Sequence, residues 1–549
     1  MQLLDMRPDH IELVQRILRQ HVPSAEVLAF GSRAKWLARD TSDLDLCIRA
    51  TAALSFEKMG TLREAFEESN LPYKVDVVDW ATTSESFRKI IERDKVVVQK
   101  TTSHQCRLGG VGLAGEETVR LRDVCVKIGS GATPRGGKEA YKGGATTLIR
   151  SQNIYNEGFH RDGLVYIDDD QSADLRNVEV KPNDVLLNIT GDSVARCCQV
   201  AADVLPARVN QHVAIIRPEP KSLDPRFLRY VLVSQEYQSR LLALASAGAT
   251  RPALTKSMIE ELDIPSPPLA EQKAIASILG SLDDKIELNR RMNATLEAMA
   301  RALFQSWFVD FDPVRAKLEG RPPAALDPAT TALFPDSFEE SELGLIPKGW
   351  KAKPLSELCQ LGRGASPRPI NDYMNGEIPW IKIADATAAG GPFLFETKEN
   401  VKKEGAEKSV AVAPGDLILS NSATCGVPMF VELHGCIHDG WLYFKNLRSI
   451  SKIYLFHVLI ELAEHLIYIA DGSVQKNLNT NLVGQQNVLV PPKAIAEAFD
   501  AQATVLFAKM RKNGLESRTL ATLRDTLLPK LLSGELRVPD AQQMVEKAV

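Results

Sequence analysis

The chain has 549 residues, and because one domain takes roughly 150 residues, we expect about three or four domains. Hydrophobic residues make up 44% and charged residues 25%, which excludes a globally disordered chain and a membrane protein. The net charge is −4, so no overall basic excess indicates nucleic acid. The beginning of the chain shows no secretory signal, and we expect a cytoplasmic location. Eight cysteines without C-x-x-C spacing predict neither a metal centre nor disulfides.

Residues 1–100 are predicted to form an α/β domain. Hydrophobic periodicity predicts a helix over Pro8–Gln20 and another over Phe56–Ser69. Three strands are predicted at VLAF (27–30), DLDLCI (43–48) and YKVDVVDW (73–80). Residues 101–117 are rich in Gly, Ser and Thr and predict a flexible linker.

The rest of the chain contains an internal repeat. GSGATPRG (129–136) recurs as GRGASPRP (362–369), and VKPNDVLLN (180–188) recurs as VAPGDLILS (412–420). LIRSQNI (148–154) likewise recurs as WIKIADA (380–386). The order is kept throughout, so we infer a tandem duplication.

Each copy continues, after a double proline, into a long helical pattern with apolar residues at steps of three and four. The two helices are predicted over Ala270–Phe308 and Ala494–Leu532, each roughly 57 Å long at 1.5 Å per residue. They can pair with each other, or each can pack on its own domain. The predicted divisions are 118–268 (head 1), 269–311 (first long helix), 312–348 (connecting segment), 349–492 (head 2), 493–534 (second long helix) and 535–549 (tail).

The N-terminal domain carries a set of residues suited to metal and phosphate chemistry. Asp43 and Asp45 lie two residues apart on a predicted strand, so both carboxylates face one side and can hold divalent cations. Asp76 can join them if its strand is adjacent. Gly31 and Ser32 form a turn whose N–H groups and hydroxyl suit phosphate oxygens. Alternatively, Asp43 caps a turn and Asp45 is a solvated strand residue.

With this ordered G-S, D-x-D and later D pattern, residues 8–100 resemble the minimal nucleotidyltransferase domains of the DNA polymerase β superfamily. The resemblance implies Asp43, Asp45 and Asp76 as Mg²⁺ ligands and catalytic residues, and Gly31, Ser32 and Arg33 as nucleotide-binding residues. It also implies AMP transfer from ATP, with a HEPN-type protein as a possible partner. A degenerate domain that serves only as a docking surface is a third interpretation.

The duplicated part resembles a second family. The repeated G-x-x-P turn (131–134 and 364–367), VNQHVAIIRP (209–218) and IPSPPLAEQKAIASIL (264–279) are similar to the DNA-specificity (S) subunit of type I restriction-modification systems. Copy two departs from the pattern, with CIHDGWLYF (436–444) and with no E-Q pair after its prolines. The resemblance implies an α/β multidomain chain with two α/β target-recognition domains separated by long antiparallel coiled-coil helices. It also implies double-stranded DNA, methyltransferase (M) subunits and restriction (R) subunits as partners, with no membrane and no cofactor for this region.

Polar residues in or near the predicted loops of each head are candidates for contact with bases. For each one, a solvated or turn-capping role is an open alternative. Arg135 and Arg368 are the strongest candidates. The full set comprises Thr133, Arg135, Gln152, Asn153, Asn188, Thr190, Ser193, Arg196, Gln211 and His212 in head 1, and Ser366, Arg368, Lys382, Ser420, Asn421, Ser422, His438 and Asp439 in head 2.

The leading hypothesis is therefore a sequence-specific DNA-binding specificity subunit that recognises a bipartite, asymmetric site. Neither head is basic as a whole, so we expect partner subunits to supply much of the phosphate affinity. The rival hypothesis is a metal-dependent nucleotidyltransferase whose duplicated region targets it to a partner.

Overall fold

The computed structural model describes residues 4–22, 25–35, 42–49, 59, 61–62, 65–66, 69, 71–80, 83, 88, 91, 93, 95–99, 118–134, 136, 139, 141, 143–246, 252–324, 326–422, 424–470 and 477–547. The chain forms two compact units. One comprises Met1–Asp123 with Ile259–Ser266, and the other comprises Val124–Met258 with Pro267–Val549. None of the helices in these described ranges is long and apolar enough to cross a membrane.

The N-terminal domain is built on a four-stranded mixed sheet. Its described elements are α1 (Pro8–His21), β1 (Glu26–Phe30), β2 (Leu44–Arg49), β3 (Val75–Asp79) and β4 (Val96–Gln99). The strand order is β3-β2-β1-β4, with β2 and β3 parallel and the other pairs antiparallel. Leu46 and Cys47 belong to different core clusters, because successive strand residues face opposite sides of the sheet. The predicted helix and the three predicted strands in this part are confirmed, whereas the helix predicted over Phe56–Ser69 lies mostly outside the described residues.

Head 1 is built on two four-stranded sheets. Its described elements are β5 (Thr118–Arg120), α2 (Leu121–Val124), β6 (Cys125–Ser130), β7 (Thr146–Ile149), β8 (Val165–Ile167), α3 (Asp169–Asp174), β9 (Glu179–Val180), β10 (Val185–Asn188), β11 (Cys197–Gln199), β12 (Ala207–Val209), β13 (Val213–Pro218), α4 (Pro225–Val233), α5 (Gln235–Ser246), α6 (Lys256–Glu260) and β14 (Asp263–Pro265). One sheet has the order β6-β13-β10-β11 and the other has the order β8-β7-β12-β9.

A long helix and a connecting segment follow head 1. The elements are α7 (Leu269–Phe308), α8 (Asp312–Leu318), α9 (Pro328–Leu333), β15 (Phe338–Ser341) and β16 (Gly344–Pro347). Strands β15 and β16 form an antiparallel hairpin. Asp327 caps α9 by accepting hydrogen bonds from the backbone N–H groups of Ala329 and Thr330, which satisfies donors that a helix start leaves free.

Head 2 repeats the architecture of head 1. Its described elements are β17 (Lys351–Pro354), α10 (Leu355–Leu358), β18 (Gln360–Arg363), β19 (Met374–Ile381), α11 (Ile383–Ala389), β20 (Phe393–Leu394), β21 (Glu399–Val401), α12 (Lys403–Ala406), β22 (Val410–Val412), β23 (Leu417–Ser420), β24 (Pro428–Val431), β25 (Gly435–Ile437), β26 (Trp441–Lys445), α13 (Lys452–Glu461), α14 (Ala463–Ile469), α15 (Thr480–Gly484) and β27 (Asn487–Val490). The chain then forms α16 (Lys493–Leu532) and α17 (Val538–Glu546).

The strand orders confirm the duplication. In head 2 one sheet has the order β18-β26-β23-β24-β20, which reproduces β6-β13-β10-β11 of head 1 with one strand added. The other has the order β21-β19-β25-β22, which reproduces β8-β7-β12-β9. Even the parallel pair recurs, since β7 with β12 corresponds to β19 with β25.

Helices α7 and α16 each contain 40 residues and pack against each other in antiparallel orientation. Asp283 pairs with Arg524 near one end, Asn289 donates to Glu516 and Ser517 near the middle, and Phe304 contacts Phe499 near the other end. Both helices begin directly after a double proline, because a residue that precedes proline disfavours helical backbone. The paired arrangement is confirmed, and the alternative of two separately packed helices is wrong.

Two asparagines mark the centre of this helix pair. Asn289 and Asn513 occupy equivalent positions of the two copies, 224 residues apart, and both are almost completely buried. The Asn513 amide donates to Asn293 Oδ1 at 2.8 Å. A buried polar layer of this kind favours one register, because slipped registers leave its amides without partners.

Candidate functional sites

The predicted carboxylates of the N-terminal domain meet at one end of its sheet. Asp45 on β2 and Asp76 on β3 are register partners in the parallel pair, so the two strands are adjacent, which is the condition under which Asp76 can join the other carboxylates. Asp43 lies just before β2 and is exposed. Gly31 follows β1 with φ +78°, and a Cβ at this position would lie 2.3 Å from Asp45 Oδ2. Glycine therefore leaves the room that the Asp45 carboxylate occupies.

Electrostatics at this end favour a bound cation. Burial raises the pKa of Asp45, and the neighbouring charges of Asp76 and Asp43 raise it further. Lys74 opposes the shift and forms an ion pair with Asp76 at 2.6 Å. A divalent cation would relieve the repulsion among the carboxylates. As the side chains stand, no group of three His, Cys, Asp or Glu residues within the described ranges is arranged to hold a metal ion. Carboxylate oxygens are suitable ligands for a divalent cation. The Asp76 carboxylate would have to rotate away from Lys74 to bind a cation together with Asp43 and Asp45.

The two residues after Gly31 differ in their surroundings. Ser32 is half-buried within the turn. Arg33 is buried, and its guanidinium donates to the carbonyl oxygens of Ser42 and Asp5 while it stacks on Tyr73. The guanidinium of Arg33 therefore bonds to the backbone around the turn, and its predicted nucleotide-binding role stays a prediction.

In head 1 the predicted base contacts separate into internal and accessible residues. Asn153 is buried and donates to the carbonyls of His160 and Asp162, and Asn188 is buried and donates to that of Ser151. A side chain without exposed surface cannot reach a base in this conformation. We assign these two asparagines an internal role, in which they satisfy loop carbonyls.

The accessible residues of head 1 include one group joined by hydrogen bonds. Thr190 Oγ1 lies 2.6 Å from His212 Nδ1, and Gln211 Nε2 lies 3.2 Å from His212 Nε2. Arg196 stacks on Tyr155, with its Cζ 4.7 Å from the ring centroid. The remaining accessible residues are Thr133, Gln152 and Ser193. The predicted contact Arg135 lies outside the described residues.

In head 2 the polar residues converge on Asp439. Ser366 Oγ donates to Asp439 Oδ1 at 2.6 Å, and Arg368 Nη2 lies 3.6 Å from Asp439 Oδ2. The Arg368 side chain is 81% exposed, so its remaining donors face solvent. The hydrogen bond from Ser366 is the largest of the influences that lower the pKa of Asp439. The carboxylate therefore stays ionised beside Arg368.

Other predicted residues of head 2 surround this group. His438 Nε2 accepts from the Ile383 backbone N–H, and burial lowers the pKa of His438. Lys382 pairs with Glu399, and Ser422 is half-buried. Ser420 and Asn421 are buried and bond to the carbonyls of Thr424 and Asp439, so we assign them an internal role as well.

Arg363 is a candidate that the predicted set does not include. Its Nε donates to the Asp439 carbonyl at 2.6 Å, and the side chain is exposed at the end of β18. The sequence contains one indication of this residue. Arg363 in GRGASPRP occupies the position that Ser130 has in GSGATPRG of head 1. A difference between the copies within a repeated turn is the expected place for a difference in recognition.

Comparison with known proteins identifies the duplicated part. Residues 115–298 and 347–516 match the family model described as type I restriction modification DNA specificity domain. The chain belongs to this family. Residues 12–103 match the model described as polymerase beta, nucleotidyltransferase. The type I specificity subunit described here is thus fused to an N-terminal nucleotidyltransferase domain.

Two relatives, one similar to each part of the chain, agree with this division. The HindI specificity subunit of Haemophilus influenzae is 28% identical over 409 residues, which cover 65% of this chain and 87% of the relative. The probable protein adenylyltransferase MntA of the same organism is 50% identical over 97 residues, which cover 18% of this chain and 85% of the relative. A type I S subunit from M. genitalium aligns with a TM-score of 0.46 and 16% identity, over 77% of this chain and 98% of that one.

Proposed function

We propose that the chain recognises a bipartite, asymmetric DNA site, with one half-site bound by each head. The observation that carries this proposal is a pair of heads with the same strand order but different polar groups at equivalent loops, such as Gln211 with His212 in head 1 and His438 with Asp439 in head 2. Both heads pack on the α7–α16 pair, head 1 through Arg229 and Asp283 and head 2 through Phe304 and Tyr454. Two different heads on one rigid pair match a split site whose halves differ in sequence.

The proposed contacts to bases are the accessible members of the predicted set together with Arg135, which lies outside the described residues. Buried Asn153, Asn188, Ser420 and Asn421 are left out. Arg368 is the strongest candidate in head 2, because an exposed guanidinium steadied by a carboxylate can pair with the O6 and N7 atoms of guanine. The full proposed set is Thr133, Arg135, Gln152, Thr190, Ser193, Arg196, Gln211 and His212 in head 1, and Ser366, Arg368, Lys382, Ser422, His438 and Asp439 in head 2.

The proposal includes assembly with methyltransferase (M) and restriction (R) subunits. The duplicated part carries no N-P-P-aromatic motif of an amino-methyltransferase and no phosphate-binding G-x-x-x-x-G-K-[ST] motif. Methylation and cleavage at the recognised site therefore need partner chains. These partners also supply contacts to phosphates that the nearly neutral heads lack.

A second proposed activity belongs to the N-terminal domain, where Asp45 and Asp76 are register partners beside Gly31. We propose transfer of AMP from ATP to a protein hydroxyl of a HEPN-type partner. The hydroxyl oxygen would attack the α-phosphorus, pyrophosphate would leave, and a carboxylate of the cluster would accept the proton. Mg²⁺ held by Asp43, Asp45 and Asp76 would neutralise charge on the phosphates.

Methylome sequencing tests the first proposal. In cells that carry this gene with its M and R genes, we expect methylation of one split motif. Deletion of residues 118–549 should abolish this methylation, whereas deletion of residues 1–100 should leave it unchanged. A methylated motif that survives the first deletion would refute the proposal.

A double variant of the N-terminal domain tests the second proposal. Asp43→Ala with Asp45→Ala should abolish label transfer from α-phosphate-labelled ATP while methylation continues. Failure of the wild-type chain to bind nucleotide in the presence of Mg²⁺ would refute the catalytic role.

A further inference from the structure

Head 1 is joined to the helix pair through a buried group of charged side chains, which we call the Asp283 node. Asp283 lies on α7, Arg229 and Tyr230 on α4 of head 1, and Arg524 on α16. Asp283 Oδ2 lies 2.5 Å from Arg229 Nη1 and 2.6 Å from the Tyr230 hydroxyl, and Asp283 Oδ1 lies 2.7 Å from Arg524 Nη1. One carboxylate thus ties together head 1 and both long helices.

The node is enclosed. The side chains of Arg229, Asp283 and Arg524 are 8%, 16% and 16% exposed. Burial alone would raise the pKa of Asp283, but the charges of Arg229 and Arg524 outweigh burial and lower it. The Asp283 carboxylate is therefore ionised, and each of its hydrogen bonds to Arg229, Tyr230 and Arg524 has a fixed direction.

The node also reaches into the body of head 1. Arg229 Nη2 donates to the Asn156 carbonyl, and Asn156 Oδ1 accepts from the backbone N–H of Cys197 on β11. A chain of hydrogen bonds thus runs from the helix pair through Arg229 to a sheet of head 1. A rotation of head 1 about α7 would have to break it.

The equivalent joint of head 2 is built differently. Phe507 occupies the position of Asp283 in the second copy, and His457 and Phe456 of α13 occupy those of Tyr230 and Arg229. These side chains contact one another as rings, with centroids 5.4 Å apart for Phe456 and Phe507 and 5.7 Å for His457 and Phe507. Ring contacts persist through small rotations, whereas an ion pair with three directed bonds does not.

We propose that the Asp283 node fixes the orientation of head 1 on the helix pair and thereby restricts the subunit to DNA sites with a single spacer length. The inference rests on the proposed recognition of a split site. Each added base pair moves the second half-site by about 3.4 Å and about 35° around the duplex. A head held in one orientation reaches a half-site at one spacer length. A head that can shift by a few ångströms also reaches half-sites at spacers one base pair longer or shorter. Asp283 and Arg524 are thus positioning residues for recognition.

The test compares methylomes of cells that carry the complete system with wild-type or variant chains. Asp283→Asn keeps the shape of the side chain but removes the charge that both arginines bind. Arg524→Met is milder, because Asp283 keeps Arg229 and Tyr230. Asp284→Asn is the matched control. Asp284 is the next residue of α7 after Asp283, and its side chain is 69% exposed. It pairs with Arg226, which lies on α4 as Arg229 does.

We expect the wild type and Asp284→Asn to methylate one spacer length. Asp283→Asn and Arg524→Met should raise methylation at sites one base pair longer or shorter by about tenfold, with the same bases read in each half-site. Thermal unfolding of each purified chain identifies a variant that does not fold, in which case Arg524→Met decides the question.

Two outcomes would overturn the inference. One is a folded Arg524→Met or Asp283→Asn chain that methylates the single wild-type spacer at the wild-type level. The other is a folded chain that loses methylation at every spacer, which would assign the node to assembly. Absence of any split motif in wild-type cells would instead refute the proposed function itself.

Discussion

At the scale of single residues, chemistry depends on small differences in room and burial. Gly31 and His457 illustrate the two effects. Gly31 combines a positive φ with an aspartate packed where its Cβ would be. His457 is an imidazole that is 1% exposed among aromatic rings. Neither the packing of Asp45 against Gly31 nor the burial of His457 follows from the residue type alone. Both have measurable consequences.

Gly31→Ala should lower nucleotidyl transfer about 100-fold, because a displacement of a reacting group by about 1 Å has this effect. The new Cβ would lie 2.3 Å from Asp45 Oδ2 and force the carboxylate to move. Transfer of label from α-phosphate-labelled ATP measures the change. Gly129→Ala is the control, because a Cβ there meets no atom within 4 Å. Unchanged transfer in Gly31→Ala would contradict the proposed position of Asp45.

Burial and the nearby charge of Arg301 lower the pKa of His457 from 6.5 to about 4. Because the unfolded chain binds this proton at a higher pH than the folded chain, stability should fall as the pH drops from about 6.5 to about 4. The loss should total about 3 kcal/mol. Above pH 6.5 the histidine is neutral in both states and contributes no pH dependence.

Denaturant unfolding followed by tryptophan fluorescence at several pH values measures the His457 effect. His457→Phe keeps a ring in the cluster and should flatten the dependence between pH 6.5 and pH 4. Equal slopes in the two chains would show that His457 does not carry this part of the acid sensitivity.

At the scale of elements, the long helices determine where the heads can pack. Gly514 lies inside α16 and would be a poor choice for helix stability alone, since glycine costs about 1 kcal/mol relative to alanine. A Cβ at this position would lie 2.5 Å from the Phe395 ring, and Arg518, one turn further along, pairs with Glu396. The glycine thus leaves room for the 393–398 segment of head 2 to pack on α16.

Gly514→Ala should therefore lower stability by about 1–3 kcal/mol despite the better helix former, because it overfills the contact with Phe395. Thermal unfolding measures the change. Lys512→Ala, at an exposed position of the same helix, is the control and should be nearly neutral. Adding Phe395→Leu to Gly514→Ala should recover part of the loss, and a stabilised Gly514→Ala chain would contradict the proposed packing.

At the scale of the whole molecule, the acidic balance and the proposed binding of DNA have to be reconciled. With a net charge of −4, the chain lacks a general excess of cations to neutralise phosphates. We infer that this subunit selects the sequence while partner subunits hold the backbone.

The isolated chain should therefore bind a duplex that contains its site only weakly, with a Kd of about 10⁻⁴–10⁻⁶ M at physiological salt, in the range of nonspecific binding. Addition of the methyltransferase subunits should tighten binding at least about 100-fold. Fluorescence anisotropy at several salt concentrations measures both values. Tight, salt-insensitive binding by the chain alone would contradict this division of roles.

The sequence by itself determined the order of the parts. A repeat is visible because the same buried positions recur in the same order, and helices of 40 residues are visible because their apolar spacing persists over many turns. These features follow from local patterns, which one chain displays without its fold.

Only the tertiary structure decided which polar residues are internal. Asn153 and Asn421 resemble base-contacting amides in the sequence, yet burial directs their amides to loop carbonyls, while Arg363 emerged as an exposed neighbour of Asp439. The Asp283 node likewise joins residues that lie 241 positions apart in Asp283 and Arg524. Burial and long-range pairing depend on how elements pack against each other, and no local pattern in a sequence records that.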